Sequence, residues 1–409
     1  MVLREISAPF MVDAERNIVS QMRHRICVLA ATPLTVHFFL QPHLLALSKH
    51  FDVVLACNPA NDIYLPPLDL PIQQAAIGIK RKISPLHDLF TLFQLYRLFR
   101  RERFDLVVSV VPKAGLLGML AAALAGVRHR VHIFQGEVWA SEHGAMRGLL
   151  KSMDRIVAKL ATRILAVSPS ERHFLEEQGV TDPGQAQVLG SGSIAGVDMK
   201  RFRPDPETRL NVRTKRGIPN DAVVCLFLGR LTEDKGVFDL VRAFALSGRK
   251  NNNLWLIVVG PDEAETIPKL RSIVDKDTVN RLIIEGFTRT PERYMAAADI
   301  LCLPSYREGF GMVVIEAAAA GIPAIGSNIY GLCDAIVENK TGLLAPPGDI
   351  RQLALVLTRL AKDETLRLTL GLAGQARVKD EFDQDKVVAG YVNFFRQLLE
   401  DTPRFPKTG

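Results

Sequence analysis

Short continuous apolar runs alternate with longer segments of helical period along most of the chain. In the first half the runs fall at 26–30, 52–56, 106–111, 130–134, 163–167 and 187–189. In the second half they fall at 223–228, 254–259, 282–285, 300–303 and 323–326. A run such as "VVCLFL" has no polar alternation, which suits a parallel strand covered by helices on both faces. Two such sets in 409 residues predict an α/β protein of two doubly wound domains. The stretch "LGSGSIAGVDMKRFRPDPE" breaks both periods with glycine, serine and proline and marks the boundary. The expected units are residues 1–200, of which 1–22 form an N-terminal extension, then 201–383. A last segment, 384–409, carries a helix able to cross back to the first domain.

Composition adds a modest bias. The chain is 48% hydrophobic and 23% charged, with net charge +7, which favours acidic or phosphorylated partners. Residues 1–200 hold 22 Lys and Arg against 17 Asp and Glu, whereas the remainder is nearly balanced at 29 against 27. Aromatic residues are only 7% and no basic-aromatic motif occurs, so nucleic-acid binding is not expected. Five scattered cysteines without a C-x-x-C pair suit a reduced, cytoplasmic setting. The N-terminus lacks the apolar core of a signal peptide, and the longest apolar stretch, 114–127, is too short to span a bilayer.

The chemistry concentrates in two loops of the second half. After the run 223–228 comes "GRLTEDKGVFDL", which places Arg230 and Lys235 at a strand's carboxyl end. A guanidinium fork and an ammonium together can neutralise a diphosphate without a metal; a solvated charged loop is the plainer reading. After the run 300–303 comes "YREGFGMVVIEAAAAGIP". Gly309, Phe310, Gly311 and Met312 open a helix with bare amides and a positive dipole end, a ready anion site. Glu308 can accept from sugar hydroxyls, and Glu316 can take a pair of ribose hydroxyls. The plainer reading is a helix cap plus a glutamate that snorkels or pairs with Arg307. It explains Glu316 poorly, because an unpaired carboxylate amid "MVVIEAAAA" is expensive to bury. Together the two loops describe a sugar-nucleotide site.

These motifs carry a resemblance. "GR…DKG" followed by "EGFGMVVIE", with seven residues between the glutamates, resembles the retaining glycosyltransferases of the GT-B fold, family 4 type. "AVSPSERHFL", "GSGSIAGVDMKRFRP" and "NIYGLCDAIVENKTGLLAPPGD" are similar to further landmarks of that family, and "FQGEVWA" to its bacterial polysaccharide branch. The resemblance implies transfer of a hexose or N-acetylhexosamine from a nucleotide sugar, UDP before GDP, to a polyprenyl-diphosphate-linked saccharide. It implies that Arg230 and Lys235 bind the diphosphate, Glu308 the sugar and Glu316 the ribose, with no cofactor or metal required. Where the family often has a glycine-rich first loop this chain has "AATPLTVHFF", with Thr35 and His37; where it often has a histidine this chain offers Gln135, Gly136 and Glu137. Ala195 replaces the asparagine of the usual N-G-V-D. The D-x-D triplets at 275–277 and 383–385 read as solvated surface rather than metal ligands.

Two other classes fit in outline: a sugar-nucleotide 2-epimerase of the same shape, and a silent partner in a polysaccharide assembly complex. The first wants His and acidic side chains poised over the sugar, and the second gives no reason to keep all four donor residues. Residues 83–103, preceded by Lys80, Arg81 and Lys82, combine an apolar face with Arg97, Arg100, Arg101 and Arg103. The pattern reads foremost as a crossover helix with its apolar residues inside, and secondarily as a peripheral contact with anionic lipid on the inner face of the membrane.

Overall fold

The computed structural model describes residues 23–58, 68–80, 83–249, 251–262, 265–276 and 278–400. The first sheet contains β1 (Arg25–Leu29), β2 (Asp52–Cys57), β3 (Gln73–Ala76), β4 (Leu106–Val110), β5 (His129–Phe134), β6 (Arg163–Ala166) and β7 (Ala186–Val188). Its order is β3-β2-β1-β4-β5-β6-β7, with every pair parallel. The second contains β8 (Val223–Leu228), β9 (Leu254–Val259), β10 (Leu282–Glu285), β11 (Ile300–Leu303), β12 (Ala324–Ser327) and β13 (Gly342–Ala345). Its order is β10-β9-β8-β11-β12-β13, again all parallel. The fold is therefore the expected pair of doubly wound sheets.

The central strands are buried because both faces carry helices, which is why their sequences read as unbroken apolar runs. Two strands escape the apolar pattern, and both lie at sheet edges. β3, "QQAA", is largely exposed, and β13, "GLLA", is four residues long between Thr341 and Pro346. An exposed edge strand such as β3 needs only one partner and little burial, so periodicity carries no trace of it, whereas β13 is mostly buried and is hidden by its shortness and its opening glycine.

In each sheet the strand order reverses once, between β1 and β4 and between β8 and β11. Ligands of open α/β sheets bind at the carboxyl ends beside such a reversal. The chain crosses between the sheets at two adjoining places: Val197 N–H donates to Phe382 O at 2.8 Å, and Gln384 N–H donates to Val197 O at 3.0 Å. Gly196 permits this approach, since a Cβ there would lie 2.8 Å from Gln384 Cα. The helix Gln384–Glu400 then packs on Gln41–Leu47 beside the first sheet, with the Tyr391 and His43 rings 4.8 Å apart.

The helix Pro85–Glu102 differs from its expected packing. Thr91, Leu95, Leu98 and Phe99 face the core, but Leu86, Leu89, Phe90 and Phe93 are exposed, Leu86 by 86%. The apolar positions exceed what one buried stripe can hold, so the surplus faces outward in line with Arg97, Arg100 and Arg101. No helix among the described residues is long and apolar enough to cross a membrane.

Candidate active site

Arg230 and Lys235 lie on the connection from β8 to the helix Val237–Gly248, and Glu308 to Met312 on the connection from β11 to the helix Met312–Ala319. Because β8 and β11 are neighbours at the reversal, the two loops meet. Lys235 Nζ and Glu308 Oε1 form an ion pair at 2.6 Å, and Glu308 Oε1 also accepts from Ser305 Oγ at 2.9 Å. Asp234 stands between two guanidiniums, Arg230 at 3.4 Å and Arg307 at 3.3 Å. Burial alone raises its carboxyl, but the Thr232 hydrogen bond and the charges of Arg230, Lys235 and Arg307 win and hold it below the usual carboxylate range. Arg307 is thus paired with Asp234, whereas the plainer reading of the sequence has a glutamate snorkelling or paired with it. The cluster is three cations and two carboxylates on two loops, a net positive patch at the strand ends.

Gly311, with φ of 85°, precedes the helix Met312–Ala319 and has no side chain to cap it, so the first amides keep their capacity to donate. Phe310 points away from this end: it is buried and meets Phe382 at 5.2 Å between ring centroids. The Met312 sulfur accepts from Ser193 Oγ at 3.0 Å. Their side chains anchor the loop, and only their backbone is placed to meet a ligand.

Glu316 is one helical turn further on and half-buried. Its carboxylate makes no hydrogen bond or ion pair among the described residues. Desolvation pushes its carboxyl up to about 7, with Arg201 drawing it down and Glu292 pushing it up. His37 approaches the same region from the first domain, where burial lowers its basicity and the charges of Arg201 and Arg289 lower it further. Next to it, Phe38 reaches across to Phe287, ring centroids 6.4 Å apart. Thr35 shapes the turn after β1 instead, its N–H donating to Thr32 Oγ1 at 3.3 Å.

The first domain comes closest to the β11 loop through Gln135 and Gly136. A Cβ on Gly309 would lie 2.7 Å from Gly136 N and from Gln135 C, so this meeting is backbone against backbone and needs glycine on both sides. Arg307 Nη1 donates to Gly136 O at 3.4 Å. Glu137 does not share this surface; it is 1% exposed, beneath the turn. A second seam lies alongside. Asp334 Oδ2 accepts from Ser170 N at 2.8 Å and Ser170 Oγ at 2.5 Å, and Ser170 Oγ accepts from Gly331 N. There Tyr330 stacks on Phe174 at 4.3 Å, and Phe174 on Trp139 at 5.3 Å.

The sequence did not single out Asp234, Ser305, Arg201, the Ser170–Asp334 contact or Glu171, a wholly buried carboxylate that accepts from Gly136 N. Asp234 sits in plain view between Arg230 and Lys235, and of these it pairs with Arg230. The others depend on which loops the fold brings together. Among the described residues no group of His, Cys, Asp and Glu could hold a metal ion. Asp275 pairs with Arg249 at 3.1 Å, Asp277 lies outside the described residues, and Asp383 accepts from the amide of Asp385 at 3.0 Å.

Comparison with known proteins places this geometry. Residues 208–377 match the family model for glycosyl transferases group 1, and residues 24–192 match a glycosyl transferase 4-like domain. The chain is 30% identical over 327 residues to the capsular polysaccharide biosynthesis glycosyltransferase CapM of Staphylococcus aureus, covering 80% of this chain and 85% of that one. It is 28% identical over 336 residues to the UDP-Gal:alpha-D-GlcNAc-diphosphoundecaprenol alpha-1,3-galactosyltransferase of Escherichia coli, with the same two coverages, 80% and 85%. Among solved structures, sucrose-phosphate synthase from Thermosynechococcus elongatus superposes with a TM-score of 0.77 at 21% identity, over 93% of this chain and 100% of that one. The glycosyltransferase WaaG, involved in lipopolysaccharide biosynthesis, does so with a TM-score of 0.68 at 18% identity, over 90% and 99%.

Proposed function

The chain belongs to the group 1 glycosyltransferases and has their GT-B fold, and on that premise we propose that it moves a hexose or N-acetylhexosamine, with retention, from a UDP-sugar to a polyprenyl-diphosphate-linked saccharide in surface-polysaccharide synthesis. The observation that carries the reading is the Lys235–Glu308 ion pair joining the two loops at the β8–β11 reversal, with Arg230 beside it on Asp234 and the unpartnered Glu316 one turn into the helix that the second loop opens. The relatives support the substrate class: the E. coli protein is named for a UDP-sugar donor and a diphosphoundecaprenol acceptor.

In the proposed reaction the bond from the sugar's anomeric carbon to the donor phosphate breaks and a bond to the acceptor oxygen forms on the same face. The transition state resembles an oxocarbenium ion, with negative charge growing on the departing diphosphate. Lys235 and Arg230, held ready by Glu308 and Asp234, exchange a carboxylate for phosphate oxygens, and the uncapped amides after Gly311 add their dipoles. Glu308, released from Lys235, accepts from the sugar's hydroxyls, while Glu316 accepts from the ribose. The leaving phosphate takes the acceptor's proton, so no side-chain base is needed. The exposed stripe Leu86, Leu89, Phe90, Phe93, Arg97, Arg100 and Arg101 suits an anionic lipid surface, which would bring the first domain to a lipid-linked acceptor.

The test is a donor and acceptor screen with the full chain: UDP- and GDP-sugars with short polyprenyl-diphosphate saccharides, followed by radiolabel in the organic phase. Transfer from a UDP-sugar is the expected result. Inversion at C2 of free donor, without transfer, would replace the reading by epimerisation.

A further inference from the structure

Beneath Gln135 and Gly136 lies a group of side chains that the transfer chemistry does not use. No hydrogen bond of good geometry reaches either carboxylate oxygen of Glu137 or the buried hydroxyl of Tyr330, although Tyr330 and Glu171 lie within interaction range of that carboxylate. Glu171, wholly buried beside Glu137, is the opposite case. Its Oε1 accepts from Gly136 N at 2.5 Å and its Oε2 from Val167 N at 2.8 Å. Two ionised carboxylates do not persist side by side out of water. With an N–H donor on each oxygen, Glu171 is the natural home of the negative charge. A proton on Glu137 then supplies what the orphaned atoms lack: its hydroxyl donates to Glu171, and its carbonyl oxygen accepts from Tyr330.

We propose that Glu137 and Glu171 share one proton as an acid–carboxylate pair, and that Glu171 is a positioning residue that holds the peptide of Gly136 against that of Glu308 and Gly309. The proposal rests on the glycosyl-transfer reading only in giving that meeting point a role beside the donor sugar. Gly136 is held from both domains, its N–H by Glu171 and its C=O by Arg307, which also reaches Asp234 and through it Arg230. The pair thus adjoins a line of contacts leading to the diphosphate cations.

Burial pushes both carboxyls up, Glu137 to about 7. The groups facing the pair are Asp154 from the helix Gly144–Leu160, Tyr330 and Arg307 from the second domain, and Tyr391 from the C-terminal helix. Asp154 is engaged by Trp139 Nε1 at 2.8 Å. Because Glu137 is raised from 4.5 in the folded protein, its contribution is complete below 4.5 and is lost as pH rises through about 7. Above that, a second buried charge works against the clamp on Gly136.

Hydrogen exchange on the full chain at pH 6 and pH 8.5, with UDP calorimetry and initial rates at the same values, tests the pair. Glu171→Gln offers one acceptor where two are needed. It should raise exchange over residues 133–138 about fivefold or more at both pH values and lower kcat about tenfold, with UDP affinity within about twofold. Glu137→Gln, the neutral isostere of the acid, should match wild type at pH 6 and keep its protection at pH 8.5, where wild type loses it. Wild-type exchange in Glu171→Gln, or the wild-type alkaline loss in Glu137→Gln, overturns the proposal. Should Glu171→Gln fail to fold, the Glu137→Gln comparison decides alone. The exchange readouts that decide the proposal need no turnover: a wild-type chain inert to every donor but showing this exchange pattern would sink the transfer reading and support the pair.

Discussion

The two faces of the cleft are built from different materials. On the second domain the groups proposed to bind the donor are side chains: Arg230, Lys235 and Glu308 on two loops that leave neighbouring strands, and Glu316 in the helix after the second loop. On the first domain the nearest approach is backbone, Gln135 and Gly136 against Gly309, and the charged groups behind it are sealed away. A side chain that must bind phosphate or ribose has to be charged and reachable. A backbone approach asks only for the absence of a Cβ and for something to hold the turn. The difference explains why one face is rich in motif and the other nearly silent.

Breaking the second-domain face should have the largest effect. Lys235→Ala removes a cation from the developing diphosphate charge, and kcat/KM should fall about 10²- to 10³-fold, by analogy with loss of one oxyanion donor. Its melting temperature should stay close to wild type, since Lys235 is a loop side chain outside the core; wild-type rates in this variant would remove the site. Glu316→Ala comes next, with donor kcat/KM down about 10- to 100-fold, on the scale of a lost charged hydrogen-bond pair. UDP calorimetry should weaken in parallel; an undiminished UDP affinity would break the ribose assignment.

Acidity sharpens the same residue. The Glu316 carboxyl is raised from 4.5 to about 7, so its stability contribution is present below 4.5 and lost as pH rises toward 7. Glu316→Gln should therefore flatten part of the fall in melting temperature across that window. An identical slope in both proteins would show that Glu316 titrates normally.

Smaller effects are expected from the first domain. Replacing Leu89, Phe90 and Phe93 by Ser should reduce flotation with anionic liposomes several-fold, on the scale of three exposed apolar side chains. Replacing Arg100, Arg101 and Arg103 by Glu should abolish it at low salt. Unchanged flotation in both would leave the stripe without a lipid partner. Ser170→Ala, which removes the hydroxyl between Asp334 and Gly331, should lower kcat only a few-fold, the scale of one or two hydrogen bonds.

How much of the molecule is legible in its sequence varies with the kind of signal. Eleven strands are visible as apolar runs, the central ones because a doubly covered strand has no polar face to interrupt it. β3 is invisible because an exposed edge strand needs so little burial, and β13, though mostly buried, because it is a four-residue run that opens on glycine. For the helix Pro85–Glu102 the pattern predicts an apolar face turned inward, and half of that face is outside. A periodic pattern counts apolar positions and cannot say how many the sheet has room to cover.

The sequence by itself determined the class of fold and the family, and it singled out the four residues proposed for the donor side, since strand periodicity and charged loops at strand ends are local properties of the chain. Only the tertiary structure decided what those residues touch. It gave Lys235 to Glu308, Arg307 to Asp234 and Gly136 to Glu171, and it turned Glu137 from an expected cleft residue into a buried acid. Pairings between loops 35 to 171 residues apart are set by sheet order and by the meeting of two domains, and local sequence carries no record of either.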